Sequence, residues 1–162
     1  MKNNITNKNI EKLFNELFHK LSLKNKCLVF KVEPRKIFWK NIVVHTKDNK
    51  GVCDYVGVFQ GRFIGVEVKQ TKQHFFLLNS IKYSQYNFMK KCEKNGGFTF
   101  ILIYFSNFKK MFLLPFSILY LLFNEEIYRI SYELISKIGF NIKFNLKNNS
   151  ANITVILHQL FN

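Results

Sequence analysis

This sequence is poor in the residues that mark low-complexity chains and disulfide frameworks. Its 162 residues include only two prolines and seven glycines, which excludes collagen-like structure. The three cysteines are odd in number and far apart, and their spacing matches neither a zinc site nor a disulfide framework. We therefore interpret Cys27, Cys53 and Cys92 as small buried hydrophobes.

Long apolar runs are also missing. The two longest, residues 98–105 and 111–123, are far shorter than the roughly 20 residues that cross a bilayer core, and Pro115 interrupts the second. The start of the chain, residues 1–9, is polar and lacks the apolar core of a secretory signal. We therefore expect a cytoplasmic protein with no membrane-spanning segment.

Acidic residues are scarce: ten stand against 25 lysines and arginines, which leaves a formal charge of +15. An excess of this size repels the folded chain from itself and persists most readily where the partner is a polyanion. Nucleic acid is the first candidate partner. An anionic membrane surface is the weaker one, because the basic residues are spread along the chain instead of lying on one helix opposite an apolar face.

The sequence motifs of P-loop NTPases and of histidine metal sites are absent. There is no Gly-x-x-x-x-Gly-Lys-Ser/Thr loop, which argues against a P-loop NTPase, and the four histidines have no metalloprotease or paired metal spacing. What the chain does have is an apolar fraction of 48%, typical of a packed globular domain. Most of its 19 phenylalanines lie in apolar runs and are expected in the core; Phe75 and Phe76 are the exceptions, as candidate base-stacking residues.

The order of elements predicts one α/β domain over residues 1–162, with a mixed sheet and flanking helices. Apolar residues recur every three or four positions from Ile10 to Leu21, the pattern of a helix with one buried face. Residues 98–105 form an almost continuous apolar run, as in a central strand covered on both faces. Further strands are expected at 27–32, 52–59, 62–69, 111–114, 140–146 and 152–157, and further helices at 80–95, 117–123 and 131–138.

Basic and apolar residues alternate between positions 33 and 50, which predicts a basic arm or stalk on this domain. Arg35, Lys36 and Lys40 are candidate DNA contacts on the arm, and Lys72 is another candidate farther along the chain. A solvated edge strand whose lysines prevent aggregation is an equally open interpretation of the arm.

The best hairpin signal surrounds Gln60-Gly61, a two-residue connection with glycine where a positive φ is needed. With this connection, the register places Asp54 directly opposite Glu67, with β-carbons about 4.5–5.5 Å apart. Lys69 lies two residues beyond Glu67 and projects from the same face. The hairpin therefore brings two carboxylates and an ammonium together.

Two opposed carboxylates repel each other, a conflict that a structural role does not explain and that a divalent cation relieves. Oxygen ligands suit a hard ion, Mg²⁺ or its possible substitute Mn²⁺. Such an ion polarises a phosphodiester and helps to activate water, while the ammonium of Lys69 stabilises developing charge. The open alternatives are that Asp54 and Glu67 pair with lysines on a solvated face, or that a bulge at Gly57 or Gly65 shifts the register.

The stretch from Asp54 to Lys69 resembles the core of the RecU family of Holliday junction resolvases, within the PD-(D/E)xK nuclease superfamily. The likeness is specific from about Asp54 to Pro115 and touches most of the chain. It continues at Ser84-Gln85, at Gly96-Gly97 with the strand after it, at residues 112–115 and, upstream, at Pro34-Arg35-Lys36.

The resemblance implies a restriction-endonuclease-like fold with a protruding basic arm, and a homodimer that acts in DNA recombination and repair. Such a dimer binds a four-way DNA junction and cuts two opposing strands symmetrically with Mg²⁺. Asp54 and Glu67 are then metal ligands, Gln85 is a further ligand, and Lys69 stabilises the transition state. From the residues alone, Gln85 would be an ordinary exposed helix residue. The arm, residues 33–50, would enter the centre of the junction.

The sequence departs from this family at two points that concern the site. Val52 stands where the family has a threonine ligand and offers no side-chain oxygen, so we expect water to take that place. Glu11, on the first helix, is either a solvated glutamate or the additional carboxylate that many members of the superfamily place there.

Three functions remain open at this stage. The first is a metal-dependent junction resolvase, and the second is another nuclease of the same superfamily, of restriction or phage type, with a different substrate. The third is a DNA-binding protein that retains the fold without cutting. Val52 favours the third, whereas Asp54, Glu67 and Lys69 favour the first two, because a pure binder would gain by losing carboxylates that repel phosphate.

Overall fold

A central six-stranded sheet organises the computed structural model of this protein, which describes residues 7–24, 27–33, 36–39, 42–45, 52–145 and 150–161. Its strands are β1 (Leu28–Lys31), β4 (Tyr55–Phe59), β5 (Arg62–Thr71), β7 (Phe98–Phe105), β8 (Lys110–Pro115) and β10 (Phe140–Ile142), and they lie side by side in this order. Strands β5 and β7 are parallel and the other neighbours are antiparallel, so the sheet is mixed as predicted.

Within the described ranges, three pairs of short strands lie outside the central sheet. They are β2 (Lys36–Trp39) with β3 (Ile42–His45), β6 (Phe75–Leu77) with β9 (Arg129–Ser131), and β11 (Phe144–Asn145) with β12 (Ser150–Ala151). The first pair lies within the predicted arm, residues 33–50, whose role stays a prediction. The second pair was not predicted, and it buries Phe76, which excludes this ring as a base-stacking residue.

Helices cover both faces of the central sheet. One face packs against α1 (Asn7–Leu23) and α5 (Ile153–Phe161), and the other packs against α2 (Tyr83–Lys94), α3 (Phe116–Asn124) and α4 (Tyr132–Ile138). Strand β7 confirms its predicted central place, because alternate residues enter the two core clusters. Among the residues described, no helix combines the length and the apolar composition that crossing a membrane requires.

The last element differs from the sequence prediction. The strand expected at 152–157 is wrong: helix α5 occupies Ile153–Phe161. Its branched residues suit a strand, but Ile153, Ile156, Leu157 and Leu160 also have helical spacing, and this stripe packs into the core beside α1. Helix α2 likewise begins at Tyr83, after a 3₁₀ turn at 78–80, and not at position 80.

Gly57 lies where strands β1 and β4 approach closely. A Cβ at this position would overlap the carbonyl oxygen of Leu28. Because backbone atoms cannot move aside cheaply, we expect Gly57→Ala to lower the free energy of unfolding by about 2–4 kcal/mol. Denaturant unfolding with Gly61→Ala as control checks this, since Gly61 has a positive φ but nothing within 4 Å of a Cβ. Equal losses in both variants would contradict the steric explanation.

Candidate active site

A tight turn sets the register of the hairpin between β4 and β5. Gln60 and Gly61 have φ values of 50° and 77°, the positive pair that a two-residue turn of type I′ requires. The strands then pair continuously from Phe59–Arg62 to Tyr55–Val66. The predicted register is confirmed, without a bulge at either glycine of the hairpin strands.

Asp54 directly precedes β4 and is held by both neighbouring strands. Its Oδ2 accepts a hydrogen bond from the backbone N–H of Val68 at 2.8 Å, and its carbonyl accepts one from Val32 at 2.8 Å. Continued by one residue past Tyr55–Val66, the register places residue 54 opposite residue 67, and the hydrogen bond from Val68 holds the Asp54 carboxylate against β5.

Glu67 lies in β5, where it pairs with Ile101 of β7, and it is 1% exposed. Its Oε1 accepts two hydrogen bonds, from Lys69 Nζ at 2.7 Å and from Gln85 Nε2 at 2.7 Å. Its buried Oε2 has no hydrogen-bond partner among the described residues. One oxygen of the carboxylate therefore has two hydrogen-bond donors, while the other is buried without one.

The environment of Glu67 opposes its ionisation. Burial and, to a smaller extent, the negative charge of Asp54 raise the pKa of Glu67 to about 7, although the ammonium of Lys69 acts in the opposite direction. A buried, half-satisfied carboxylate beside a second one is an arrangement that a cation stabilises.

The raised pKa of Glu67 makes the stability of the metal-free protein depend on pH. The folded state holds the proton up to about pH 7 and the unfolded state only to about 4.5, so stability falls as pH rises between these values. Glu67→Gln removes this ionisation. We expect the metal-free variant to exceed the native protein by about 1–3 kcal/mol at pH 8 and to lose that advantage at pH 4.5.

Thermal unfolding in a chelating buffer at pH 4.5 and pH 8 measures this difference. Glu125→Gln, which changes an exposed glutamate after α3, is the control and should alter neither value. A Glu67→Gln variant that is less stable than the native protein at pH 8 would contradict the assignment of the raised pKa.

Gln85 enters the site from the first turn of α2. It is buried, so the exposed position that residue types alone indicated is wrong, whereas the family resemblance singled it out. Its Oε1 accepts from the backbone N–H of Lys82 at 3.1 Å and lies 3.5 Å from Lys69 Nζ. Periodicity alone missed it, although a glutamine three residues after a helix start is a recognised capping position.

The other predicted residues lie away from this cluster or outside the described parts. Lys72 is exposed in the turn after β5, and its carbonyl accepts from Asn107 Nδ2 at 2.6 Å. Lys36 begins β2. Arg35, Lys40 and the side chains of Lys36 and Glu11 lie outside the described residues, so their roles stay predictions.

Two carboxylates form the acidic part of this site. No group of three or more histidine, cysteine, aspartate and glutamate side chains that suits a metal occurs within the described ranges. The oxygens of Asp54 and the open Oε2 of Glu67 nevertheless fit a hard cation that takes its remaining ligands from water and substrate. Val52 lies two positions before Asp54 and supplies no side-chain oxygen.

Comparison with solved structures identifies the class of fold. A Holliday junction resolvase, Hjc from Archaeoglobus fulgidus, superposes with a TM-score of 0.50 at 11% identity, covering 80% of this chain and 93% of that one. The chain therefore has the restriction-endonuclease-like fold that the family resemblance implied. This likeness concerns the fold alone.

The family follows from the sequence. The family model for Recombination protein U matches residues 2–157, so this chain belongs to the RecU family, as its motifs indicated. A similar protein named Holliday junction resolvase RecU, from Mycoplasmopsis pulmonis (strain UAB CTIP), is 27% identical over 106 residues, 65% of this chain and 66% of that protein. Another protein of that name, from Staphylococcus aureus (strain MRSA252), is 34% identical over 96 residues, which are 56% of this chain and 46% of that protein. The chain thus matches only 46–66% of these two relatives' lengths.

Proposed function

We propose that this protein is a Mg²⁺-dependent endonuclease that resolves Holliday junctions by hydrolysing phosphodiester bonds during recombination and repair. The observation that carries the proposal is that the Asp54 carboxylate is bound to β5 at Val68, the neighbour of Glu67, while Lys69 is hydrogen-bonded to Glu67. The family and the formal charge of +15 support DNA as the partner. A cytoplasmic location belongs to the same proposal, because the DNA to be resolved lies inside the cell.

The two carboxylates and the lysine would have different roles in the reaction. Asp54 and Glu67 would hold Mg²⁺, which when bound polarises the scissile phosphodiester and lowers the pKa of a water. Lys69 is 18% exposed at its side chain and its ammonium is paired with Glu67, at the position where the proposed cation would hold the substrate. From there it would stabilise the negative charge that develops on the phosphate.

The arm and the assembly complete the proposal. Strands β2 and β3 form a hairpin separate from the central sheet, which suits a protrusion that enters a branched substrate. Two symmetric cuts require two active sites, so we propose a homodimer. Arg35, Lys36, Lys40 and Lys72 would contact DNA phosphates.

Cleavage of defined DNA substrates tests the function. The purified protein is incubated with labelled four-way junction, linear duplex and single strands, each with Mg²⁺ or with a chelator. We expect paired symmetric nicks in the junction alone, and only with Mg²⁺. Cutting of linear duplex would instead identify a nuclease of different substrate class, and salt-sensitive binding without cutting would identify the non-cleaving protein that Val52 favours.

A further inference from the structure

The candidate active site lies toward one end of the central sheet. Strand β4 begins directly after Asp54, and the parallel strands β5 and β7 end at Thr71 and Phe105. Strand β8 is antiparallel to β7 and begins at Lys110. Because β4 is antiparallel to β5, all of these positions lie at the same end of the sheet. The turn that joins β7 to β8, residues 106–109, therefore lies at the end that carries the carboxylates.

The register also determines which face of the sheet this turn adjoins. Thr71 pairs with Phe105, and Phe105 pairs with Lys110, so these residues form a row across the strands. Residues an even number of positions apart on a strand face the same side, so this row shares its face with Glu67. Thr71 is four residues from Glu67, which is about 13 Å along β5 and about four nucleotides of rise along one DNA strand. A DNA strand held at the carboxylates can therefore extend to this row.

Hydrogen bonds fix this turn to the turn that follows β5. The backbone N–H and the hydroxyl of Ser106 donate to the carbonyl of Thr71 at 2.9 and 3.2 Å. Asn107 Nδ2 donates to the carbonyl of Lys72 at 2.6 Å. We call the joined turns, residues 71–74 and 106–110, the rim. The rim is a continuous surface whose lysines, at positions 72, 109 and 110, are all exposed.

An aromatic ring lies in the rim. The ring of Phe108 stacks on Tyr132, with centroids 3.9 Å apart and an interplanar angle of 9°. The rings of Phe105 and His74 meet it edge to face, with centroids 6.3 and 6.1 Å away. Phe108 is nevertheless 36% exposed. Its neighbours therefore hold the ring in place while leaving apolar surface to the solvent, and a nucleic-acid base stacks on a surface of this kind.

Lys109 has a backbone conformation that does not suit lysine. Its φ of 52° lies in the left-handed region, where a side chain is strained and glycine is the usual residue. A lysine at this position is therefore less stable than a glycine would be, and it also adds a positive charge beside Lys72 and Lys110. Binding of a polyanion explains both features, because it requires the charge and offsets the repulsion.

We propose that the rim binds the DNA strand that extends from the active site, with Phe108 stacking on an unstacked base and with Lys109 and Lys110 binding phosphates. This inference rests on the proposed function, which makes branched DNA the substrate. Paired bases in a linear duplex are stacked on each other, whereas bases at a branch point unstack at lower cost. The rim therefore contributes to the preference for branched over linear DNA.

DNA binding in a chelating buffer tests the role of the ring. We expect Phe108→Leu, which keeps an apolar side chain but loses the aromatic face, to weaken binding to a four-way junction about 5–50-fold. Binding to linear duplex should change less than twofold. Phe108→Tyr keeps the ring and should bind the junction like the native protein. Tyr120→Leu, which changes an equally exposed ring on α3, is the matched control. Native junction affinity in Phe108→Leu, or an equal loss in Tyr120→Leu, would overturn the stacking role.

A fluorescent base tests the contact itself. The base 2-aminopurine loses emission when it stacks, and it is placed in turn at each nucleotide near the branch of the junction. We expect the native protein to quench one of these positions more strongly than Phe108→Leu does, both at saturating protein. Identical emission with the two proteins at every position would overturn the contact.

Substitution of the lysines separates binding from stability. Lys109→Gly removes the charge and the backbone strain together, so we expect an unchanged or higher Tm with weaker junction binding. Glu126→Gly relieves a similar φ of 55° in another turn and should bind the junction at least as tightly as the native protein. Lys110→Gln should make the slope of log affinity against log salt concentration shallower by about one, whereas Lys94→Gln, at the opposite end of the sheet, should leave the slope unchanged. Native affinity and salt slope in Lys109→Gly and Lys110→Gln would overturn the phosphate contacts.

These measurements distinguish the rim from the proposed function. A protein that binds the junction but does not cut it would overturn the proposed function, and the affinities of the rim variants would still decide whether the rim binds DNA. A protein that cuts the junction equally well with and without the rim substitutions would overturn the rim alone. A native protein that binds no DNA would overturn both.

Discussion

Asp54→Asn should lower the single-turnover rate of junction cleavage by at least about 10³-fold while leaving junction binding intact or tighter. The asparagine oxygen can still accept the hydrogen bond from Val68 N–H, so the hairpin is expected to keep its geometry. The loss would instead come from the charge, because one of the two anionic ligands proposed for Mg²⁺ would be missing and the ion would bind more weakly. Removal of a negative charge near the phosphate explains why binding does not weaken.

The control for Asp54→Asn must change the same charge elsewhere. Glu125→Gln does so at an exposed position after α3 and should cut at the native rate. Junction binding of both variants is measured with a chelator present, so that cleavage does not interfere. An Asp54→Asn variant that cuts within a few-fold of the native rate would remove Asp54 from the catalytic site.

Lys69→Met has the second largest expected effect, a fall of about 10²–10³-fold in the cleavage rate constant with little change in the substrate concentration for half-maximal rate. Methionine fills the space of the aliphatic stem, while the ammonium that would stabilise developing charge is lost. The same ammonium lowers the pKa of Glu67, so its removal should also shift the pH dependence of cleavage upward.

Lys72→Met is the matched control for this variant. Lys72 is exposed in the turn after β5, three residues from Lys69, and an exposed lysine that contacts phosphate affects binding and its salt dependence, not the rate of chemistry. We therefore expect Lys69→Met to lower the rate constant of cleavage and Lys72→Met to lower the affinity for the junction. A Lys69→Met enzyme with native rates and an unchanged pH profile would show that Lys69 only neutralises Glu67.

The position of the carboxylate pair could be predicted because a short turn determines it. Gln60-Gly61 allows one type of two-residue connection, and every pairing between β4 and β5 follows from that connection by counting. The central position of β7 could also be predicted, because an almost continuous apolar run of strand length is typical of a strand covered on both faces. Both features depend on residues that are neighbours in the chain or in one hairpin.

Gln85 and helix α5 could not be derived in this way. Gln85 meets Glu67 only because α2 returns across the sheet face and begins at Tyr83, and nothing in the local spacing reveals that crossing. The residues of α5 satisfy the spacing of a helix and the composition of a strand. Packing decides between them, since Phe161 meets the rings of Phe59 and Phe98 on the sheet.

Local chemistry along the chain was thus enough to specify the class of domain, the hairpin and its opposed acids, because backbone conformation and alternation act over a few residues. The burial of Glu67, the partner of its Oε1 and the fold of the C-terminal segment arose from contacts between distant segments. These depend on which surfaces remain to be covered once the sheet has formed, and therefore only the assembled structure determines them.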